Sequence, residues 1–237
     1  MIEIPLLEGK ALKSFDKRDF EEAYCKTIRS IFFEEPIWNG TPEFKKTFPF
    51  GFLLYSNANP ELVEFMGQES TWSFLDTITR EKFFIFSARP EKGGKTLSEE
   101  CNESMLAAAH AFDLGSIVLN PCLIVFDFHF SHKKGKADWE HIYDANIGKF
   151  HVLELPNLKS VDYLNFFRTR LGVGIRGLKS EQHPDSPATA IAYAIRNAEA
   201  TNLLKKSGEG LLKGFLKDFA AALPLLKWRP GKLGQGE

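Results

Sequence analysis

Asp127-Phe-His129-Phe-Ser-His132 carries the best metal-like spacing in the chain. On an extended strand, residues two apart project to one face, so Asp127 and His129 would present a carboxylate and an imidazole side by side. His132 would fold back from the following loop, with His141 or His151 completing a hydrolytic centre that keeps one position open for water. The plainer reading of these residues is a polar end to a strand. Glu91-Lys-Gly-Gly-Lys-Thr96 stands between a strand and a helix, where phosphate-binding loops occur, but position 89 is arginine where that pattern requires glycine. Arg89, Lys92 and Lys95 would attract an anion there; a solvated turn with a capping threonine accounts for the same residues. The three cysteines, Cys25, Cys101 and Cys122, are far apart and form neither a C-x-x-C pair nor half of a zinc knuckle. No G-x-S-x-G, H-E-x-x-H, or H-x-E with C-x-x-C occurs, which removes the common hydrolase and deaminase signatures.

These residues sit in a chain of ordinary globular composition. It has 237 residues, 43% hydrophobic and 26% charged, with Lys+Arg 30 against Asp+Glu 31. That apolar content excludes a disordered chain, and a net charge of -1 gives no global attraction to nucleic acid or anionic membrane. Phe 22 against Trp 4 and Tyr 5 points to large dry cores or interfaces, because phenylalanine has no polar handle. An odd, sparse cysteine set argues against a disulfide framework. The first ten residues lack the apolar core of a signal peptide, and no apolar run approaches the ~20 residues of a membrane span, so a cytoplasmic location is expected.

Helical spacing of Phe20, Tyr24, Ile28, Ile31 and Phe32 predicts an amphipathic helix over 14–33. Phe50 to Tyr55, Lys82 to Ala88, Cys122 to Phe130 and Lys149 to Leu155 read as strands. Asn59-Pro60-Glu61 opens a helix carrying Leu62, Val63, Phe65 and Met66, and a second helical stretch covers Trp72 to Ile78. Thr96 and Glu99 have capping-box spacing for a helix reaching Phe112. Val161 to Leu171 forms one helix, Ser186-Pro187 opens another, and 209–223 is the last. Alternation of strands and helices favours parallel pairing with crossovers; the closing strand pair favours an antiparallel hairpin.

The order strand, helix, strand, helix, strand, strand, helix resembles the thioredoxin-like superfamily. Its matching pieces are Gly51-Phe-Leu-Leu-Tyr55, Lys82-Phe-Phe-Ile-Phe86, Asn120-Pro-Cys-Leu-Ile-Val-Phe126 and Lys149-Phe-His-Val-Leu-Glu154. The resemblance implies an α/β fold with a central sheet of four or five mixed strands flanked by helices. It also implies a cis Asn120-Pro121 bond facing the start of the first core helix. Where redox members carry C-x-x-C, this chain has Ser56-Asn57-Ala58-Asn59, which removes dithiol chemistry at that position. The expected organisation is an N-terminal helical extension (1–47), the thioredoxin-like core (48–172) and a C-terminal helical extension (173–237). The expected function is binding without a cofactor, with a peptide or protein held near Ser56, Asn57, Asn59, Asn120 and Pro121. The metal-dependent enzyme using Asp127, His129 and His132 is the alternative. A further one is membrane or partner contact through Leu211, Phe215 and Phe219, on the apolar stripe of a basic amphipathic helix.

Overall fold

Phenylalanine-rich strands set the architecture. The computed structural model describes residues 1–3, 44–79, 83–91, 95–112, 114, 120–134, 141–172, 175, 186–196 and 228–232. In chain order these include β1 (Ile2–Glu3), β2 (Phe44–Leu54), α1 (Pro60–Gly67), α2 (Glu69–Thr79), β3 (Phe84–Ser87) and α3 (Glu99–Ala111). β4 (Cys122–Lys134), β5 (His141–Glu154) and α4 (Ser160–Phe167) follow, with a π-helical turn at Arg168–Gly172. Helix α5 spans 187–196, and β6 is Trp228–Lys232. Among the described residues six strands form one mixed sheet, in the order β1-β3-β2-β4-β5-β6. The protein is therefore an α/β fold with a mixed sheet flanked by helices.

β2 and β3 pair in parallel, which requires a long crossover, and α1 and α2 supply it. β4 and β5 form the expected antiparallel hairpin. β4 itself runs antiparallel to β2 rather than continuing the parallel set, so the alternating reading holds only for β2 and β3. The strands also extend beyond their apolar runs. β2 begins at Phe44, β4 continues through Ser131–Lys134, and β5 starts at His141. An apolar run marks only the doubly covered part of a strand, whereas these outer halves are rich in Lys, Ser and His. Pro230 disguised β6, and a proline is tolerated there because β6 is an edge strand.

Alternation divides the sheet into two unlike faces. On one, Phe50 stacks on Phe126 (5.9 Å) and Phe86 (5.8 Å), and Phe52 on Phe126 (5.1 Å). Phe112, the residue ending α3, meets Phe52, Phe126 and Phe150 with centroids 5.8, 6.1 and 5.0 Å apart. On the other face, Leu123 and Leu153 meet Phe166, Phe167 and Ile195 around a small apolar crevice. There Phe65 of α1 stacks on Phe167 of α4 at 5.7 Å. Ala188, Ile191 and Ile195 of α5 join the same core.

Helix starts depart from the local signals in instructive ways. Ser98, not Thr96, caps α3 by accepting the Cys101 amide at 3.2 Å. Asn59 precedes α1, but its side chain turns backward and accepts the Ser56 amide at 3.0 Å. Glu61, an acid in the first turn of α1, reaches across to accept the Ser160 amide at the start of α4 (2.8 Å). Val161 to Leu171 is not one regular helix, since α4 gives way to the π-turn after Phe167. The stretches 14–33 and 209–223, with Leu211, Phe215 and Phe219, lie outside the described residues.

Candidate functional site

Two polar places stand out against this core. The first is the end of the sheet where β2 finishes and β4 begins. Leu54 pairs with Cys122, so the antiparallel register brings Ser56–Asn59 and Asn120–Pro121 to the same end. Here the turn is built from its own side chains. Ser56 is buried; its hydroxyl accepts the Ala58 amide (3.2 Å), and its carbonyl accepts the Asn59 amide (2.9 Å). The Asn57 amide side chain imitates a strand neighbour: Oδ1 accepts the Leu97 N–H at 2.7 Å and Nδ2 donates to the Leu97 carbonyl at 3.2 Å. That pair ties the segment before α3 to the turn. Pro121 is buried and its carbonyl accepts the Leu155 amide at 2.7 Å, joining the end of β5 to the same place. Asn57, Ala58, Pro60 and Asn120 remain exposed on this rigid rim. No thiol stands in the turn. Cys122 is buried beneath it, and burial, with the Glu154 charge as a smaller cause, pushes its thiol up to about 12.

The second place is a β-bulge. Pairing passes from Phe126↔Phe150 to Phe128↔Ile147, so Gly148 and Lys149 of β5 stand opposite Asp127 alone. A side chain on Gly148 would fall on the His129 ring, so glycine is what allows that ring to lie across the bulge. His129 Nδ1 is 2.9 Å from the Thr47 hydroxyl of β2. Beside it, Asp127 is 1% exposed, and both carboxylate oxygens are engaged by the start of α5. Oδ2 accepts the Ser186 hydroxyl at 2.6 Å, and Oδ1 accepts the Ala188 amide at 2.8 Å. Ser186 also accepts the Thr189 amide (3.2 Å) and meets the Thr189 hydroxyl (2.6 Å), which meets His151 Nε2 (2.9 Å).

Burial raises the Asp127 carboxyl above its ordinary value, and the bonds from Ser186 and Ala188 with the charges of His129 and Lys149 pull it partly back. Burial, then Lys149, holds His151 below the usual imidazole value. This cluster fastens α5 to the sheet: the helix donors that would otherwise lack partners are satisfied by Ser186 and Asp127.

Asp127 and His129 do share a strand face, as their spacing predicts. His132 lies in the backbone of β4, paired with Phe44 and Tyr143, rather than in a loop from which it would fold back. His141 starts β5 opposite Lys134, and His151 faces the α5 hydroxyls instead of His129. Among the described residues no group of three His, Cys, Asp or Glu is placed to hold a metal ion. Arg89 stacks over Trp72 at 5.0 Å; Lys92 to Gly94 of the glycine-lysine loop lie outside the described residues. No helix among the described residues is long and apolar enough to cross a membrane. Thr47, Gly148, Ser186 and Thr189 were not legible as members of a cluster. Only Ser186-Pro187 carried a signal, and that signal was for a helix start.

No family model matches the chain, and neither does any curated protein or solved structure.

Proposed function

We propose that the chain is a thioredoxin-like binding protein without dithiol chemistry, which takes a peptide or protein partner at the sheet end formed by Ser56–Asn59 and Asn120–Pro121. The observation that carries this reading is the Leu54↔Cys122 pairing, which gathers two separate sequence segments into one rim. Parallel β2 and β3 joined through helices, beside the antiparallel β4–β5 hairpin, support the family resemblance. The bonds of Asn57 to Leu97 and of Leu155 to Pro121 support recognition by a preformed surface, because a rim held in place loses little entropy on binding. Exposed Asn57 and Asn120 offer polar contacts, and exposed Ala58 and Pro60 offer small apolar ones, a mixture suited to an extended chain.

A reduced, carboxymethylated protein serves as an unfolded-chain probe, followed by fluorescence anisotropy. Ala58→Arg combined with Asn120→Arg is expected to weaken its binding at least tenfold. Val161→Arg, on the exposed side of α4, is expected to leave it unchanged. Equal binding by all three proteins, or no binding by the parent chain, would overturn the proposal.

A further inference from the structure

Asn59 is 6% exposed, and all but one of its polar groups are engaged. Its backbone N–H donates to the Ser56 carbonyl (2.9 Å), and its carbonyl accepts the Leu62 and Val63 amides (3.1 and 3.0 Å). Oδ1 accepts the Ser56 amide at 3.0 Å, which fixes the orientation of the side chain, because a flipped amide would set two donors face to face. Nδ2 therefore stands on the other side with two hydrogens, and among the described residues it has no acceptor. An aspartate would accept the Ser56 amide equally well, so the fold makes no use of the NH2 group. A buried donor without a partner is costly, and such groups in folded proteins call for a reason. The next two positions add to it. Pro60 has no N–H, and the Glu61 N–H also lacks an acceptor among the described residues, while the Glu61 carboxylate is engaged by the Ser160 amide. Ala58 and Pro60, on either side of Asn59, are exposed.

We propose that Asn59 is the donor through which the rim recognises main chain: Nδ2 gives a hydrogen bond to a backbone carbonyl within an extended stretch of the partner. This rests on the binding reading above and gives Asn59 a role distinct from the exposed contacts around it. The donors on offer are neutral, and Glu61 and Glu99 stand in the first turns of α1 and α3. A neutral carbonyl therefore loses less by burial here than a carboxylate does. Such a carbonyl occurs at every residue, so the rim selects an extended backbone whose carbonyls are unpaired rather than one particular side chain.

The test follows the Asn59 NH2 pair in 15N spectra of the full-length chain, assigned by its disappearance in Asn59→Asp, as a reduced, iodoacetamide-blocked protein is added. The expected result is a downfield shift of the pair that saturates together with the backbone shifts of Ser56–Asn59. Asn59→Asp keeps an acceptor for Ser56 and removes only the donor. It is expected to bind the probe about tenfold more weakly at about 0.5 M salt, where charge repulsion is screened, with its urea midpoint preserved. A lowered midpoint would leave the NH2 shift of the parent chain as the deciding measurement. Backbone shifts without movement of the NH2 pair, or equal binding by the parent and a stable Asn59→Asp, would overturn this inference and leave the binding reading standing. Movement of the pair by acetate alone would overturn the choice of a neutral carbonyl. Absence of any binding by the parent chain would overturn both.

Discussion

Asp127 Oδ1 accepts the Ala188 amide at 2.8 Å across 61 residues of sequence, so a carboxylate from the middle of a strand caps a helix that begins much later in the chain. Removing it strips partners from both Ala188 and Ser186 in a buried place. Asp127→Ala is expected to destabilise the fold by about 2–4 kcal/mol, the sum of a lost cap and unsatisfied buried donors. Asp127→Asn retains an acceptor for Ala188 and is expected to cost about half as much. Urea denaturation of the three proteins measures this ordering; equal stability of Asp127→Ala and the parent would refute the capping role.

Gly148 and His129 are expected to be coupled. Gly148→Ala forces the imidazole away from its Thr47 contact, for about 1–3 kcal/mol of lost stability. In a His129→Ala background the ring is gone, and the same Gly148→Ala change is expected to cost much less. A double-mutant cycle by chemical denaturation reads the difference, and additive costs would mean that the ring does not set the need for glycine.

Stability should respond to pH through His151. Its folded imidazole binds a proton less readily than the unfolded chain does, so its contribution is complete above the usual 6.5 and declines as pH falls below that value. Asp127 runs the other way. Its raised carboxyl favours the folded state below the ordinary 3.8, and that contribution is lost as pH rises through the folded value. Urea midpoints between pH 7 and pH 4 are expected to lose part of their acid-side decline in His151→Gln and to decline more steeply in Asp127→Asn.

Cys122 should be chemically silent in the folded protein. With its thiol pushed up to about 12 and almost no exposure, little thiolate forms at pH 8. Iodoacetamide labelling followed by peptide mass spectrometry is expected to leave Cys122 unmodified in buffer and to modify it fully in denaturant. Rapid labelling in buffer would contradict the burial described for β4.

The sequence disclosed what short-range rules govern. Apolar runs located the centres of β2, β3, β4 and β5, and their phenylalanines form one face of the sheet. Asn59-Pro60 and Ser186-Pro187 marked the starts of α1 and α5 correctly, although the Asn59 side chain does not cap. What stayed hidden depends on distance in the chain. Glu61 and Asp127 look like a first-turn acid and a strand-end acid until the fold places α4 and α5 over them. The bulge at Gly148 was invisible for the same reason, because the ring that requires it comes from His129 on the neighbouring strand. Asp127-x-His129 spacing correctly gave a shared face, but spacing alone does not say which partners that face will meet.

The most direct test of the binding reading is a 15N amide titration of the chain with the same carboxymethylated probe. The account predicts shifts concentrated at Ser56–Asn59, Leu97 and Asn120, with the α4 surface around Val161 unaffected. Shifts centred elsewhere, or none as the probe is raised to millimolar concentration, would contradict it.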